Sequence, residues 1–131
     1  MIVVDSSALI AILRRELEAD RFLQAIAAAE QCVLSSVSLL ETSMVLAGRS
    51  GDATSWEQLD ALIARAGMQV VAQDAGLAEA ARGAFLRYGK RRHPAELNLG
   101  DCASYALAKT RNLPLLFKGG DFPKTDLVAA V

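Results

Sequence analysis

The stretch "MIVVDSSALIAIL" (Met1–Leu13) carries the reading of the fold. Ile2, Val3 and Val4 form a short, unbroken β-branched run, which predicts a strand buried on both faces. An acid, Asp5, follows at once. Ser6 and Ser7 are expected to cap the next element, an apolar helix over "ALIAILRRE" (Ala8–Glu16).

The same alternation continues along the chain. A helix over Leu17–Glu30 carries Phe22, Ile26 and Ala29 at helical spacing. "CVLSS" (Cys32–Ser36) reads as a strand and then a cap. The helix "SLLETSMVLAGR" (Ser38–Arg49) follows, with Gly48 or Gly51 expected to end it. Asp52–Gly67 is amphipathic, with Trp56, Leu59 and Ile63 on one face. Met68–Asp74 reads as a strand, Ala75–Lys90 as a helix, Gly100–Arg111 as a helix and Leu113–Phe117 as a strand. "DLVAA" (Asp126–Ala130) is expected to add a last short strand. Short apolar strands alternating with helices predict a parallel sheet in an α/β sandwich. Such sheets build their sites at the carboxyl ends of the strands. The length of 131 residues suits one domain, 1–131, with a single sizeable core.

Composition narrows the function classes. Aromatic residues are only 5% of the chain, so the core must be aliphatic. A net charge of −1 does not advertise a nucleic-acid partner globally, although a local groove can differ. The basic residues are uneven: "RYGKRRH" (Arg87–His93) holds Arg87, Lys90, Arg91, Arg92 and the only histidine, His93. Cys32 and Cys102 have neither disulfide nor metal spacing and read as small buried hydrophobes in a reducing compartment. The N-terminus lacks a basic segment ahead of its apolar run, so it is a poor signal peptide. No apolar run approaches the roughly 18 residues that span a bilayer. The expectation is a cytoplasmic protein with no membrane partner.

Most of the acids, including Glu16, Glu18, Asp52, Glu57, Asp60 and Glu79, sit on polar helix faces and read as solvated surface. Four resist that reading. Asp5 ends the first strand, as a cap or as a functional group. Glu41 shares a helical stripe with Val37, Met44 and Gly48, expected to face the core, where a carboxylate is costly unless paired or metal-bound. Asp101 opens a helix, where the dipole favours an acid. Asp121 follows "LLFKGG" at a predicted strand end, where Asp is also a common turn residue. Strand ends and the helix turn beyond them converge on one edge of a parallel sheet. Clustered carboxylates repel, and a hard cation removes the conflict. An oxygen-only set without His or Cys suits Mg²⁺ or Mn²⁺, which implies phosphodiester hydrolysis or phosphoryl transfer.

"VVDSSAL" (Val3–Leu9), "SLLET" (Ser38–Thr42), "LNLGDCASYALA" (Leu97–Ala108) and "LLFKGGDF" (Leu115–Phe122) resemble the four acidic motifs of PIN-domain ribonucleases, and more closely those of VapC-type toxins of toxin–antitoxin systems. The resemblance runs from Met1 to about Asp126. It implies a three-layer α/β/α sandwich with a central, mainly parallel sheet. It implies an endoribonuclease that depends on Mg²⁺ or Mn²⁺, with Asp5, Glu41, Asp101 and Asp121 as its acids. By the same likeness Asp5 and Asp101 bind one or two ions directly, Glu41 and Asp121 act through water or a second ion, and Ser7 stands beside Asp5 and off the metal. It further implies an RNA substrate, a homodimer, and an antitoxin on a separate chain.

Arg87, Lys90, Arg91, Arg92 and His93 are candidate RNA contacts, the alternative being a solvated loop. Lys118 is expected to neutralise a carboxylate or touch a phosphate near Asp121. The apolar stripes at Val37–Leu46 and Leu59–Ile63 read as core, with some surface left for a homodimer or antitoxin face. Two other functions compete. A receiver-type phosphoacceptor domain would want an acidic pair after its first strand, and "VVDSS" has one acid. A catalytically silent binding module of the same fold would not need all four acids.

Overall fold

The computed structural model describes the backbone of residues 1–50 and 54–131 and the side chains of 1–48 and 56–131. Gly51 and Asp52, read above as a helix terminator and a surface acid, lie outside the described residues. Among the described residues the order is β1 (Ile2–Val4), α1 (Ser6–Leu13), α2 (Ala19–Ala28), β2 (Cys32–Ser35), α3 (Ser36–Ser50), α4 (Thr54–Ala66), β3 (Gln69–Val71), α5 (Ala75–Tyr88), α6 (Leu99–Arg111) and β4 (Leu115–Leu116), then a one-turn 3-10 helix, Phe122–Lys124. The strands form one sheet in the order β3-β2-β1-β4. All pairings are parallel, with Val3 opposite both Val33 and Leu115 and Val33 opposite Gln69. All four carboxyl ends therefore point the same way.

Strand alternation divides the core in two. Ile2, Val4, Cys32, Leu34 and Leu116 face α1, α2 and α4, where Leu9, Phe22, Ile26 and Leu59 are buried. Val3, Val33 and Leu115 face α5 and α6, against Ala84, Tyr88, Leu97, Tyr105 and Leu107. This is the expected three-layer α/β/α sandwich. Each fully buried Leu or Phe contributes about 1.5–3 kcal/mol through removal of its side chain from water.

The differences from the sequence reading are local. Helix α3 runs through Gly48 to Ser50, since one glycine inside a helix costs only about 1 kcal/mol. The stripe Val37–Glu41–Met44–Gly48 does not face the core: Met44 is 64% exposed and Leu40 61%. Helix α3 instead buries Ser38 and Thr42. Trp56 is exposed and lies off the Leu59 core. Its indole N–H donates to the Ser43 carbonyl at 2.7 Å and ties α4 to α3. The segment Asp126–Ala130 makes a single bridge, Ala129 to Leu115, and no strand. Both cysteines are free and buried, as read. Among the described residues no helix is long and apolar enough to cross a membrane.

Candidate metal centre

Asp5 continues straight from β1 to the carboxyl edge and is 2% exposed. It is itself the N-cap of α1, which corrects the expectation that Ser6 and Ser7 would cap. Those serines lie inside the first turn and serve carboxylates instead. Ser7 donates to Asp5 Oδ2 twice, from its backbone N at 3.0 Å and from Oγ at 2.6 Å. Ser6 Oγ donates to Glu41 Oε1 at 2.6 Å. From α6, Ser104 Oγ donates to Asp5 Oδ1 at 2.6 Å.

Asp101 follows no strand, because α5 and α6 are joined without one. It reaches the same edge because α6 starts there and runs back along the sheet. Asn98 is the cap of α6, in a reciprocal capping box. Asn98 N donates to Asp101 Oδ2 at 3.1 Å, and Asp101 N donates to Asn98 Oδ1 at 2.9 Å. Gly100 lets α3 and α6 close up: a Cβ there would lie 2.5 Å from Glu41 Oε1. Asp121 is exposed and precedes the 3-10 turn without a side-chain capping bond. Gly119 just before it has a φ of +114°, which only glycine adopts readily. The Lys118 N–H donates to Ser7 Oγ at 3.0 Å and ties this loop to Asp5.

One group registers all four acids. The Asp101 carboxyl is raised to about 6: burial pushes it up most, the Asn98 amide pulls it down, and the charges of Asp5, Glu41 and Asp121 add to the rise. None of the described ion pairs involves any of the four. Among the described residues no three acidic, His or Cys side chains already form a ready-made ligand cluster. The acids thus act together on the Asp101 carboxyl without forming such a cluster.

The predicted cations are placed differently. Lys118 pairs with Glu16 and Glu18 and does not neutralise Asp121. Those two acids, read as solvated surface, thereby hold the Lys118 loop. Arg87 pairs with Asp126 and lies over the Tyr88 ring. Arg92 Nε donates to the Leu86 carbonyl. His93 Nδ1 accepts the Ala95 N–H at 3.0 Å and its ring packs edge-on against Tyr88. Lys90 and Arg91 stand exposed. Asp74, which a receiver reading would have made the phosphoacceptor, caps α5 by accepting from Leu77 N.

Sequence reasoning missed Ser6, Ser38, Ser104 and Asn98. Only Asn98 left a local signal, its spacing of three to an acid at a helix start.

A family model described as PIN domain matches residues 2–128. Ribonuclease VapC30 of Mycobacterium tuberculosis (strain ATCC 25618 / H37Rv) is 48% identical over 125 residues, covering 95% of this chain and 95% of its own. Two solved structures share the fold. The Mycobacterium tuberculosis toxin VapC20, described as sarcin-ricin loop cleaving, superposes with a TM-score of 0.76 at 22% identity, covering 98% of this chain and 97% of its own. A toxin–antitoxin complex from Klebsiella pneumoniae gives 0.72 at 21% identity, covering 98% and 96%.

The field at Asp101 has a measurable consequence. Asp101→Asn keeps an oxygen for the Asn98 N–H and removes the charge. The folded carboxyl titrates near 6 and the unfolded one near about 3.9. Wild-type protein is therefore unpenalised below about pH 4 and loses stability as pH rises through about 6. In EDTA, the Tm of the variant relative to wild type is expected to climb by several degrees between about pH 4 and pH 8. Calorimetry checks this, and a difference independent of pH would contradict it.

Proposed function

This chain belongs to the PIN-domain family, and from that premise we propose that residues 1–131 form one PIN domain acting as a Mg²⁺- or Mn²⁺-dependent endoribonuclease, the toxin of a toxin–antitoxin module. Its 48% identity to a protein named a VapC ribonuclease supports the activity. The single observation that carries the site is the shared field of Asp5, Glu41, Asp101 and Asp121. Oxygen donors, excess negative charge and, among the described residues, no lysine or arginine paired with the four acids fit a hard divalent cation.

Asp5 and Asp101 would hold the cation directly, and Glu41 and Asp121 would hold it through water or share a second one. When bound, such an ion supplies Lewis acidity for an attacking water and a scissile phosphate. The chain's own residues prepare that chemistry. Ser7 and the α1 N-terminus fix the Asp5 carboxylate, and Ser6 aims Glu41. The capping box sets Asp101, and the Lys118–Ser7 bond sets the approach of the Asp121 loop. Exposed Lys90 and Arg91, with Arg92, His93 and Arg87 behind them, would meet RNA phosphates. Lys118 would do so only after leaving Glu16 and Glu18. The free, buried cysteines accord with the reducing cytoplasm.

A cognate antitoxin on a separate chain is the expected partner. A homodimer is proposed through the face shared by α3, α5 and α6. There a groove of about 770 Å³, lined by Phe85, Leu86, Leu99 and Ala81, adjoins a second that holds Leu40 and Met44. Leu86 is 65% exposed and Leu99 77%. Exposed apolar surface of this kind marks interfaces, and a mostly apolar patch can pair with its own copy about a two-fold axis.

Cleavage of RNA by the purified toxin should require Mg²⁺ or Mn²⁺, stop with EDTA, and fall at least about 10²-fold in Asp5→Ala and Asp101→Ala. Undiminished cleavage by folded variants would refute the site. Gly100→Ala should lower Tm only modestly, because the displaced atoms end a flexible side chain. Cleavage should nevertheless drop toward about 10²-fold as Glu41 is driven from Ser6. For the dimer, Leu86→Glu should shift the mass seen by light scattering from two copies to one; an unchanged mass would place the interface elsewhere.

A further inference from the structure

Buried serine hydroxyls are costly unless bonded, and Ser38 and Ser104 are both 0% exposed. The direction of their bonds follows from chemistry. An ionised carboxylate only accepts, so Ser104 Oγ gives its one proton to Asp5 Oδ1 at 2.6 Å. Ser104 has no second proton for Ser38. The 3.1 Å contact between the two hydroxyls therefore runs from Ser38 Oγ to Ser104 Oγ. A parallel chain serves the other oxygen: Lys118 N–H donates to Ser7 Oγ, which donates to Oδ2. The Ser7 amide adds a second bond to Oδ2.

A carboxylate offers about four lone-pair sites, two on each oxygen. Oδ2 has both engaged, and Oδ1 has one. Among the described residues no other group bonds to this carboxylate, so a single acceptor site remains on Asp5, and it lies on Oδ1. We infer that Ser104, supplied by Ser38, is a positioning residue for the metal centre: it fixes the one lone pair of Asp5 that a divalent cation can use. The inference rests on the proposed role of Asp5 as a cation ligand. Ser7 alone would leave the carboxylate anchored at one oxygen, with both lone pairs of Oδ1 open. The relay from α3 through α6 also makes the aim of Asp5 depend on how those two helices pack. Loss of such a partner behind a ligand typically weakens binding by about 10–100-fold.

The test is calorimetric titration of the full chain with Mg²⁺ and with Mn²⁺. It compares wild type, Ser104→Ala, Ser38→Ala, the double variant and Asp5→Asn, each checked for folding by circular dichroism. Ser104→Ala should raise Kd by about 10–100-fold. Ser38→Ala should raise it about two- to tenfold and add nothing once Ser104 is alanine. RNA cleavage by Ser104→Ala should recover as Mg²⁺ is raised, which a purely structural defect would not do. A wild-type Kd in folded Ser104→Ala, or fully additive effects of the two serines, would overturn the inference. If Ser104→Ala fails to fold, Ser38→Ala decides alone, and an unchanged Kd there overturns it. Asp5→Asn separates the two claims. Its binding at wild-type Kd would sink the ligand role of Asp5 itself. Loss of binding in Asp5→Asn beside normal binding in Ser104→Ala would remove only the positioning role.

Discussion

Four carboxylates share one edge of the sheet with hydroxyls and amides for company, and among the described residues no cationic side chain pairs with them. The rest of the structure is arranged around that unbalanced charge. It shows most clearly at Asp101, whose carboxyl rises to about 6 as burial and its three acidic neighbours act together. Lys118 stands in the Asp121 loop and is well placed in sequence to relieve the repulsion, yet its ammonium turns away to Glu16 and Glu18. The N-terminal ends of α1 and α6 offset part of the charge through their dipoles and free amides, used at Asp5 and Asp101. The remainder is the charge that the proposed cation would balance.

The fold makes this arrangement possible at little local cost. The first strand lies inside the sheet, between β2 and β4, so Asp5 emerges between helices of both layers. Ser6 and Ser7 of α1, Glu41 of α3 and Ser104 of α6 all reach it or its neighbours. Two apolar half-cores hold these helices at fixed positions on the sheet. A bond such as Ser104 to Asp5, which spans 99 positions of sequence, depends on both. At Gly100 the α6 backbone lies so near the Glu41 carboxylate that a single methyl would displace it.

Much of this was legible in the sequence because it is written in short-range patterns. Strand–acid–helix at Ile2–Leu13, the apolar runs at Cys32 and Leu113, and the four acids in their contexts all lie within a few residues of their own signal. What was not legible depends on partners far along the chain. The stripe through Glu41 was read as core because periodicity gives a face without saying what covers it. In the fold that face is a groove wall, with Leu40 and Met44 exposed. Ser104 looks like an ordinary small residue in an alanine-rich helix until Asp5 appears beside it. Lys118 was read against Asp121, its neighbour in sequence, while its partners came from the turn after α1. Three of the five candidate cations in Arg87–His93, namely Arg87, Arg92 and His93, are committed to Asp126, Tyr88 and backbone groups.

Part of the stability of the metal-free chain is given up to assemble this edge, since like charges are held together without compensation. Cation binding and folding are then linked, because an ion that binds only the native edge stabilises the whole fold. The central claim is that the four acids form one cation site. Crystals grown with Mn²⁺ and measured at the manganese absorption edge test it most directly. The account predicts an anomalous peak within about 2.5 Å of carboxylate oxygens from both Asp5 and Asp101. A peak that touches neither of them, or none at saturating Mn²⁺, would contradict it.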